Sequence, residues 1–378
     1  MEKNKKKKII IFSSNVISLL NFRKQLIEKL IYLNYKVIVF APNDKKNQLI
    51  KLKKKGVKYY KIDLKNRSLN IFNDLLIFFK LFKLTKKEKP EKILAYTIKP
   101  IIISGFISKF FKLDFFPMFT GLGFRLDEKH IIKNIYAKII LFLCKLSLSK
   151  SKKMIFQNNE TRNFFIKKNI IKKNKTNVVN GSGVDLKYFR YSLVSKKKFK
   201  NLRFLCLTRI QKVKGIYELI EASKIIKKKY PKTEIDIVGE LEPSFGGIPK
   251  NVIDKWVIKK YINYHGYKDD IRPFLKKTDV LILASYHEGL PRSVLEAMSV
   301  GRPVIVTNIP GSKILVKSGE NGFKIPIKDS VSLKNKMLWF IKNQNQINKM
   351  GKISRRMIED KFDVKMINNQ LLKLMEIK

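Results

Sequence analysis

Short apolar runs, each followed by a stretch with helical periodicity, recur along this chain of 378 residues. The first pair joins KIIIF, at 8–12, to an apolar-periodic segment at 16–33, and the alternation continues to the strand-like run at 303–306. A strand followed by a helix, repeated many times, is typical of parallel sheets with helices on both faces. The sequence therefore predicts an α/β fold of doubly wound, Rossmann-like sheets.

The chain length indicates two such sheets, because 378 residues is about twice the usual size of a domain. Glycines, lysines and weak periodicity mark the region near 186–200 as a linker. We therefore predict an N-terminal domain at 1–185 and a C-terminal domain at 201–360, with a helix at 361–378 that packs across the domain junction. Ligands of doubly wound sheets bind beyond the carboxyl ends of the strands, so we expect the site in a cleft between two facing sheets.

The net charge is extreme, since 82 Lys and Arg against 30 Asp and Glu give +52. Lysine is spread over the whole length, and Ile and Asn are abundant as well. A coding bias towards A and T therefore explains the charge as readily as a functional role of the charge would. A basic surface attracts polyanions of any kind, including nucleic acids and anionic lipids. Charge alone therefore does not decide between nucleic acid and anionic lipid as the partner.

The apolar segments and cysteines bear on the cellular location. Cys144 and Cys206 are the only cysteines and lie in apolar runs, which fits a reducing cytoplasm without a disulfide framework. No run of 18 uncharged apolar residues occurs, so we expect attachment to the inner face of a membrane to be peripheral. The predicted helix at 131–149 alternates Lys with Ile, Leu and Phe. That pattern fits a helix in a membrane surface and a helix packed on its own sheet equally well.

The stretch HEGLPRSVLEAMSVGRPVIVTNIPG, at 287–311, carries the most informative motif. Seven residues separate two glutamates, and the first precedes a Gly-Leu-Pro turn that opens a helix, with the proline suited to the first turn. Free amides and the helix dipole there form an anion site suited to a diphosphate. The second glutamate is expected on the helix surface, where it accepts hydrogen bonds from ribose hydroxyls. The predicted donor-binding residues of this motif are His287, Glu288, Gly289, Leu290, Pro291 and Glu296.

Arg209 and Lys214, in TRIQKVKG at 208–215, follow directly on a predicted strand. A departing nucleoside diphosphate develops negative charge, which two fixed cations stabilise where another enzyme would use Mg²⁺. The chain contains no Asp-x-Asp pair, and its three histidines are too scattered to form a metal site by spacing. We therefore predict these two residues as catalytic cations, together with Glu288, and expect neither a metal nor a cofactor.

These motifs together resemble glycosyltransferase family 4, whose members have the GT-B fold. Glu288 and Glu296 match the Glu-x7-Glu motif of that family, and Arg209 and Lys214 match its Arg-x4-Lys pair before a glycine. The likeness extends over essentially the whole chain. Further stretches similar to the family in order and spacing are IVGE (237–240), YHGYKDDIRPFLKKTDVLILAS (264–285) and GENGFKIP (319–326).

The resemblance implies roles for the matching residues. Glu296 would hold the donor ribose, Glu288 and the adjacent amides would contact the sugar and phosphates, and the Arg and Lys pair would neutralise the diphosphate. Most members retain the anomeric configuration through a front-face reaction in which the leaving phosphate helps to deprotonate the acceptor, so no protein nucleophile is assigned. The donor base is expected near 265–268, which adds as donor-binding residues Gly239, Tyr267 and Lys268.

The N-terminal domain is expected to bind the acceptor at the carboxyl ends of its strands. SSN at 13–15, AYTIKP at 95–100 and FTGLGF at 119–124 resemble the subgroup that acts on polyprenyl-diphosphate-linked glycans in capsule, O-antigen or glycoprotein assembly. Many members of the family have a histidine where Thr120 stands, although the TGLG form is common in this subgroup. The predicted acceptor-binding residues are Ser13, Ser14, Asn15, Arg23, Thr97, Lys99, Thr120, Gly121 and Gly123.

The predicted function is transfer of a hexose or N-acetylhexosamine from a nucleotide-diphosphate sugar, with UDP as the favoured carrier, to a lipid-linked or surface-polysaccharide glycan. A nucleotide-sugar epimerase of similar fold is the alternative enzyme, and the Arg209 and Lys214 pair favours transfer over it. A basic nucleic-acid-binding protein is the alternative from another class. That alternative leaves the paired glutamates unexplained, so we expect no nucleic-acid partner.

Overall fold

The computed structural model describes residues 6–42, 50, 53–64, 71–121, 135–194, 201–242 and 246–378. The chain forms two compact units, Met1–Ser182 with Lys365–Lys378, and Gly183–Val364. The first unit thus ends three residues before the predicted domain boundary at 185, and it also includes the end of the chain. Part of the predicted linker at 186–200 and the first four residues of the predicted helix at 131–149 lie outside the described residues.

The first unit contains a seven-stranded parallel sheet. Its strands are β1 (Lys8–Phe12), β2 (Lys36–Pro42), β3 (Lys58–Ile62), β4 (Lys92–Tyr96), β5 (Asp114–Phe119), β6 (Met154–Phe156) and β7 (Thr176–Val178). Its helices within this span are α1 (Val16–Phe22), α2 (Lys24–Tyr32), α3 (Ile71–Glu88), α4 (Ile98–Phe111), α5 (Ile135–Leu148) and α6 (Asn159–Lys167). The strand order β3-β2-β1-β4-β5-β6-β7 changes direction at β1, which puts α1 and α2 on one face and α3, α4 and α5 on the other.

Side chains of β1 alternate between two separate cores, as the two-residue period of a strand requires. Ile10 and Phe12 pack in the core beneath α3, α4 and α5. Ile9 and Ile11 pack in the core beneath α1 and α2. Because both faces are covered, the strand reads as a continuous apolar run rather than an alternating one.

The second unit contains a six-stranded parallel sheet in the order β10-β9-β8-β11-β12-β13. Its strands are β8 (Arg203–Leu207), β9 (Glu234–Val238), β10 (Asn263–Tyr264), β11 (Val280–Leu283), β12 (Val304–Thr307) and β13 (Gly322–Ile325). Its helices are α7 (Ile216–Lys229), α8 (Lys250–Ile258), α9 (Arg272–Lys277), α10 (Arg292–Ser299), α11 (Pro310–Lys313), α12 (Ser330–Lys342) and α13 (Gln346–Lys361). Strand β13 was not predicted, because four residues after a Gly-Glu-Asn-Gly turn give too short a pattern.

The last helix, α14 (Val364–Leu374), belongs to the first unit. Its buried side chains Ile367 and Leu371 pack in the same core as Leu26 and Leu30 of α2. This helix therefore packs on the face of the first sheet that also carries α1 and α2. Among the described residues, no helix is long and apolar enough to cross a membrane.

Glu88, at the end of α3, is a buried carboxylate whose ion pairs make the stability of the first unit depend on pH. Burial acts to raise its pKa, but hydrogen bonds from Lys58 and Tyr60 and the charges of Lys58 and Lys8 outweigh burial and lower the pKa to about 2. A carboxyl group with a lowered pKa stabilises the fold above its unfolded value of 4.5, and this contribution is lost as the pH falls towards 2.

We expect Glu88→Gln to lower the free energy of unfolding by about 1–2 kcal/mol at pH 7, a range that allows for solvent screening around the partly exposed Lys58. The difference between wild type and variant should shrink as the pH falls from 5 to about 2. Urea unfolding at several pH values measures it. A constant difference over this range would contradict the assignment.

Candidate active site

The predicted donor motifs meet at the carboxyl edge of the second sheet, where β8, β9 and β11 end side by side. Two glycines allow the connecting segments to approach closely. A Cβ atom on Gly239 would lie 1.7 Å from the carbonyl oxygen of Thr208, and one on Gly215 would lie 2.2 Å from that of Ala284. Gly215 also has φ +69°, in the left-handed region that glycine favours. The segments that follow β8, β9 and β11 can therefore meet only because Gly215 and Gly239 lack side chains.

Lys214 and Glu288 form an ion pair, with 2.7 Å between Lys214 Nζ and Glu288 Oε1. Both side chains are largely buried, at 14% and 16% exposure. The loop that carries Glu288 is fixed nearby, because the Tyr286 amide donates to the Val213 carbonyl at 2.9 Å. Tyr286 Oη also donates to Glu218 Oε1 at 2.6 Å. Two predicted catalytic residues, separated by 74 positions, are therefore direct neighbours.

Arg209 pairs with a different carboxylate, and its side chain is 54% exposed. Its Nη1 atom contacts Glu242 Oε2 at 2.9 Å, and Gln211 Nε2 donates to the same oxygen at 3.0 Å. Sequence reasoning missed Glu242, whose signal is the acidic run GELE immediately after β9. Each predicted cation therefore has a carboxylate partner, and Arg209 has the freer access to solvent.

Glu296 corrects the expectation of a solvated residue on a helix surface, because only 8% of it is exposed. Helix α10 is amphipathic, and its inner side carries Glu296 among buried apolar residues. Arg292, one turn earlier, donates from Nε to Glu296 Oε1 at 2.8 Å. Burial raises the pKa of Glu296, and Arg292 opposes that shift. Arg292 was also missed, although its spacing of four residues from Glu296 is the usual one for helical ion pairs.

Gly311 packs closely against the loop that precedes α10. Pro291 is the N-cap residue of α10 rather than a first-turn residue, which leaves Gly289 and Leu290 just outside the helix. A Cβ atom on Gly311 would lie 2.3 Å from the carbonyl oxygens of both Glu288 and Gly289. The backbone of this loop therefore rests directly on α11.

We expect Gly311→Ala to displace the loop and lower the affinity for nucleotide by about tenfold or more, because a misplaced binding group loses its hydrogen bonds. Titration calorimetry with UDP measures the change. Gly319→Ala is the matched control, since its Cβ would meet no atom within 4 Å although its φ is +87°. Equal losses in both variants would reject a specific role for Gly311.

The residues predicted near the donor base lie at the end of β9. The Gly239 amide donates to the Gly266 carbonyl at 3.0 Å, and Tyr264 Oη donates to the Gly239 carbonyl at 2.9 Å. These bonds hold the following residues, Tyr267 and Lys268, at the same edge of the sheet, where both are exposed. His287 is also exposed, next to Glu288. All predicted donor residues are thus within one edge of the second unit.

The predicted acceptor residues lie at the carboxyl edge of the first sheet. The Asn15 side chain accepts from the Ser18 amide at 3.1 Å and caps α1, and Ser13 Oγ donates to the Asn15 carbonyl at 2.9 Å. Ser14 is buried beside them. Asn15 therefore performs the ordinary work of an N-cap, and Ser13 supports the turn at the end of β1.

Arg23 corrects the prediction of one continuous helix at 16–33. Its backbone (φ −130°, ψ 3°) leaves the helical region and separates α1 from α2. The side chain is buried, donates from Nη2 to Met118 Sδ at 2.9 Å and lies over the Tyr96 ring. A break of this kind carries no sequence signal, because the apolar periodicity continues through it.

Thr97 and Lys99 stand at the start of α4, where β4 ends. Thr97 has φ +72°, a conformation that costs energy for a β-branched residue and is concentrated at functional sites. Lys99 Nζ contacts both carboxylate oxygens of Asp74 at 2.8 Å. Thr120 and Gly121 follow β5 at the same edge, whereas Gly123 lies outside the described residues.

In the part of the chain that the structure describes, no three His, Cys, Asp or Glu side chains are grouped closely enough to hold a metal ion.

Known proteins resemble this chain in sequence and in structure. Residues 192–357 match the family model of glycosyl transferases group 1. The UDP-Gal:alpha-D-GlcNAc-diphosphoundecaprenol alpha-1,3-galactosyltransferase of Escherichia coli is 28% identical over 79% of this chain and 78% of its own length. The N,N'-diacetylbacillosaminyl-diphospho-undecaprenol alpha-1,3-N-acetylgalactosaminyltransferase of Campylobacter jejuni is 27% identical over 86% of this chain and 87% of its own.

A crystal structure of Anabaena HepE in complex with UDP superposes with a TM-score of 0.79 and covers 98% of this chain and 99% of its own, at 17% identity. At that identity the likeness shows the fold, which is GT-B, and it confirms the predicted fold class. The family match and the named transferases confirm the resemblance to glycosyltransferase family 4 and the predicted enzyme class. The chain is a glycosyltransferase whose residues 192–357 match the group 1 family model.

Proposed function

We propose that this glycosyltransferase moves a hexose or N-acetylhexosamine from a UDP-sugar to a polyprenyl-diphosphate-linked glycan, without a metal and with retention of configuration. The observation that carries the proposal is the Lys214–Glu288 ion pair, which lies directly before the turn that opens α10. Two relatives support the choice of substrates, since the Escherichia coli enzyme is named for UDP-Gal and both are named for acceptors linked to diphosphoundecaprenol. The Anabaena structure holds UDP.

The N-terminal turn of α10 supplies the diphosphate site. Amides of Gly289 and Leu290 precede the helix, whose dipole places partial positive charge at the same point. Lys214 adds a full positive charge in a largely buried position, where a charge acts more strongly than in water. As the bond between sugar and phosphate breaks, charge develops on the leaving UDP, and this cation stabilises it in place of Mg²⁺. Arg209, which is more exposed, supplies the second cation.

Glu288 and Glu296 hold the two ends of the donor. Lys214 fixes the carboxylate of Glu288, so that its second oxygen accepts a hydrogen bond from a hydroxyl of the transferred sugar. Arg292 fixes Glu296 in the same manner, and its free oxygen accepts from the ribose hydroxyls. Charge-assisted hydrogen bonds of this kind are about twice as strong as neutral ones.

Transfer proceeds on one face of the sugar. The acceptor hydroxyl gives its proton to an oxygen of the leaving phosphate, the bond from the anomeric carbon to that phosphate breaks, and the bond to the acceptor oxygen forms on the same side. No side-chain nucleophile is needed. Residues at the carboxyl edge of the first sheet, with strained Thr97 and paired Lys99 among them, bind the acceptor at a membrane surface.

Donor specificity is tested by thermal unfolding in EDTA with UDP, GDP, ADP and the sugars UDP-glucose, UDP-N-acetylglucosamine and GDP-mannose. We expect UDP and one UDP-sugar to raise the Tm by several degrees at a hundredfold excess over Kd. A rise that requires added Mg²⁺ would reject the metal-free site. A rise in Tm with GDP alone would identify GDP, instead of UDP, as the carrier of the donor sugar.

Acceptor and stereochemistry are tested with the UDP-sugar so identified and a polyprenyl-diphosphate-linked N-acetylglucosamine in detergent. We expect a disaccharide product whose new linkage has the donor configuration, read from the anomeric proton coupling by NMR. An inverted linkage would reject the front-face mechanism. Transfer to water-soluble oligosaccharides alone would reject the lipid-linked acceptor.

A further inference from the structure

Three helices on one face of the first sheet expose large apolar side chains to solvent. Helices α3, α4 and α5 cover the same core with their inner sides. They form one layer, since Phe82 of α3 lies 4.9 Å from the rings of both Phe110 and Phe111 of α4. Gly105 of α4 packs against the backbone of Ser147 in α5, where a Cβ would lie 2.5 Å from the carbonyl oxygen. The outer side of this layer is therefore one continuous surface.

The outer side of α3 is apolar at its beginning and basic at its end. Phe72, Leu75, Leu76 and Phe79 are exposed, with Phe72 at 81%. They recur every three or four residues and so share one face of the helix. The same stripe continues with exposed lysines at 80, 83, 86 and 87.

The outer side of α5 mixes the same residue types. Ile135, Ile139, Phe142 and Leu146 are exposed, with Phe142 at 60%. Lysines at 138 and 145 are exposed among them. Buried Leu141 and Cys144 face the opposite way, into the core. Helix α5 thus packs one side on its own sheet and presents apolar and basic groups to solvent on the other.

The helices of this surface carry few acidic groups. Helices α3, α4 and α5 contain only two carboxylates, Asp74 and Glu88. Both oxygens of Asp74 contact Lys99, and Glu88 is buried against Lys58 and Tyr60. The surface therefore combines exposed apolar side chains with positive charge that no exposed carboxylate of these helices offsets.

We infer that the outer surface of α3, α4 and α5, termed here the basic apolar face, lies against an anionic lipid bilayer. Exposed Phe, Leu and Ile enter the boundary between headgroups and acyl chains, while the flanking lysines stay among the headgroups. Anionic lipids complement this charge, whereas a water-soluble protein partner would not require lysines throughout an apolar face. The apolar half of α3 begins beside the Asp74–Lys99 pair, so the bilayer lies next to a predicted acceptor residue.

This inference rests on the proposed lipid-linked acceptor for its purpose, but its test uses no sugar. The full-length chain is sedimented with vesicles of phosphatidylcholine containing 30% phosphatidylglycerol, and with phosphatidylcholine alone. We expect binding to the anionic vesicles only, weakened by high salt. The double variant Phe79→Gln/Phe142→Gln should bind about tenfold more weakly or worse. Lys83→Glu/Lys145→Glu should also lose binding.

Matched controls come from the opposite side of the same unit. Tyr32, at the end of α2, is 79% exposed, so Tyr32→Gln removes a similar apolar group from the other face. Lys24→Glu/Lys29→Glu reverses two exposed charges of α2. Equal losses of binding in these controls and in the face variants would overturn the inference, because binding would then follow net charge or overall hydrophobicity. Unchanged binding of the face variants would overturn it as well.

Thermal shift with UDP shows that the variants remain folded and keep their donor site. A wild-type dimer that Phe79→Gln/Phe142→Gln converts to a monomer, with vesicle binding retained, would overturn the lipid assignment and make the face a contact between two chains. Loss of vesicle binding in the face variants, with an unchanged response to UDP, supports the basic apolar face as the site of lipid contact. Absence of any sugar transfer by wild type, with vesicle binding intact, would count against the proposed function alone.

Discussion

Lys214→Ala is expected to lower kcat by about a hundredfold or more, because it removes a fixed cation from the place where charge develops on the leaving diphosphate. The affinity for UDP should fall less, since charge on the leaving group is greatest in the transition state. Initial rates with the UDP-sugar at saturating acceptor give kcat, and calorimetry gives Kd for UDP. A kcat within threefold of wild type would reject the catalytic role of Lys214.

Lys212→Ala is the matched control for this variant. Lys212 lies in the same short 3₁₀ turn, Lys212–Lys214, but it is exposed and we assign it no role. The second comparison is Lys214→Ala/Glu288→Gln, which removes the charge of both partners. If Lys214→Ala weakens UDP binding only because Glu288 keeps a largely buried charge without its cation, the double variant should regain the wild-type affinity for UDP; we expect that it does not.

Glu296→Ala should lower the affinity for UDP by about tenfold or more, because hydrogen bonds between a carboxylate and ribose hydroxyls are lost. The tertiary environment changes the expected effect on stability. On a helix surface such a change costs little, but Glu296 is buried and bonded to Arg292. We therefore expect Glu296→Ala to lower the free energy of unfolding by about 1–3 kcal/mol as well. Calorimetry with UDP and urea unfolding measure the two effects separately.

Glu296→Gln removes the charge of this side chain but keeps its shape. The raised pKa of Glu296 predicts the direction in which stability and UDP affinity change with pH. Burial raises the pKa of Glu296, so the folded state holds this proton more tightly than the unfolded one, whose pKa is near 4.5. The contribution of Glu296 to stability therefore falls as the pH rises from 4.5 through its raised pKa. Affinity for UDP should rise over the same interval, because the carboxylate is the better acceptor.

In Glu296→Gln both pH dependences should be absent and the affinity for UDP low at every pH. Affinity equal to wild type throughout would show that the ribose does not contact this carboxylate. Arg292→Lys is a useful companion, since it keeps a positive charge but loses the planar guanidinium that holds Glu296. It should weaken UDP binding less than Glu296→Ala.

The fold class followed from local patterns in the sequence. Apolar runs such as KIIIF at 8–12 are covered on both faces, and a strand with that property must carry apolar residues at every position. Strand and helix existence was therefore predictable for most elements, while β13, α6, α9 and α11 were not predicted, because short segments give little periodicity. The break at Arg23 was also hidden, since a buried arginine interrupts the helix without interrupting its apolar repeat.

The sequence by itself determined the residue types and spacing of the donor motifs, since the paired glutamates and the Arg and Lys pair are read directly from the chain. Only the tertiary structure decided how they are paired. Lys214 bonds to Glu288 across 74 positions, Arg209 bonds to Glu242, and Glu296 is buried rather than solvated. The physical reason is that strand order sets which loops meet at the carboxyl edge of a sheet, and Gly215 and Gly239 allow contacts that depend on atoms distant in the sequence.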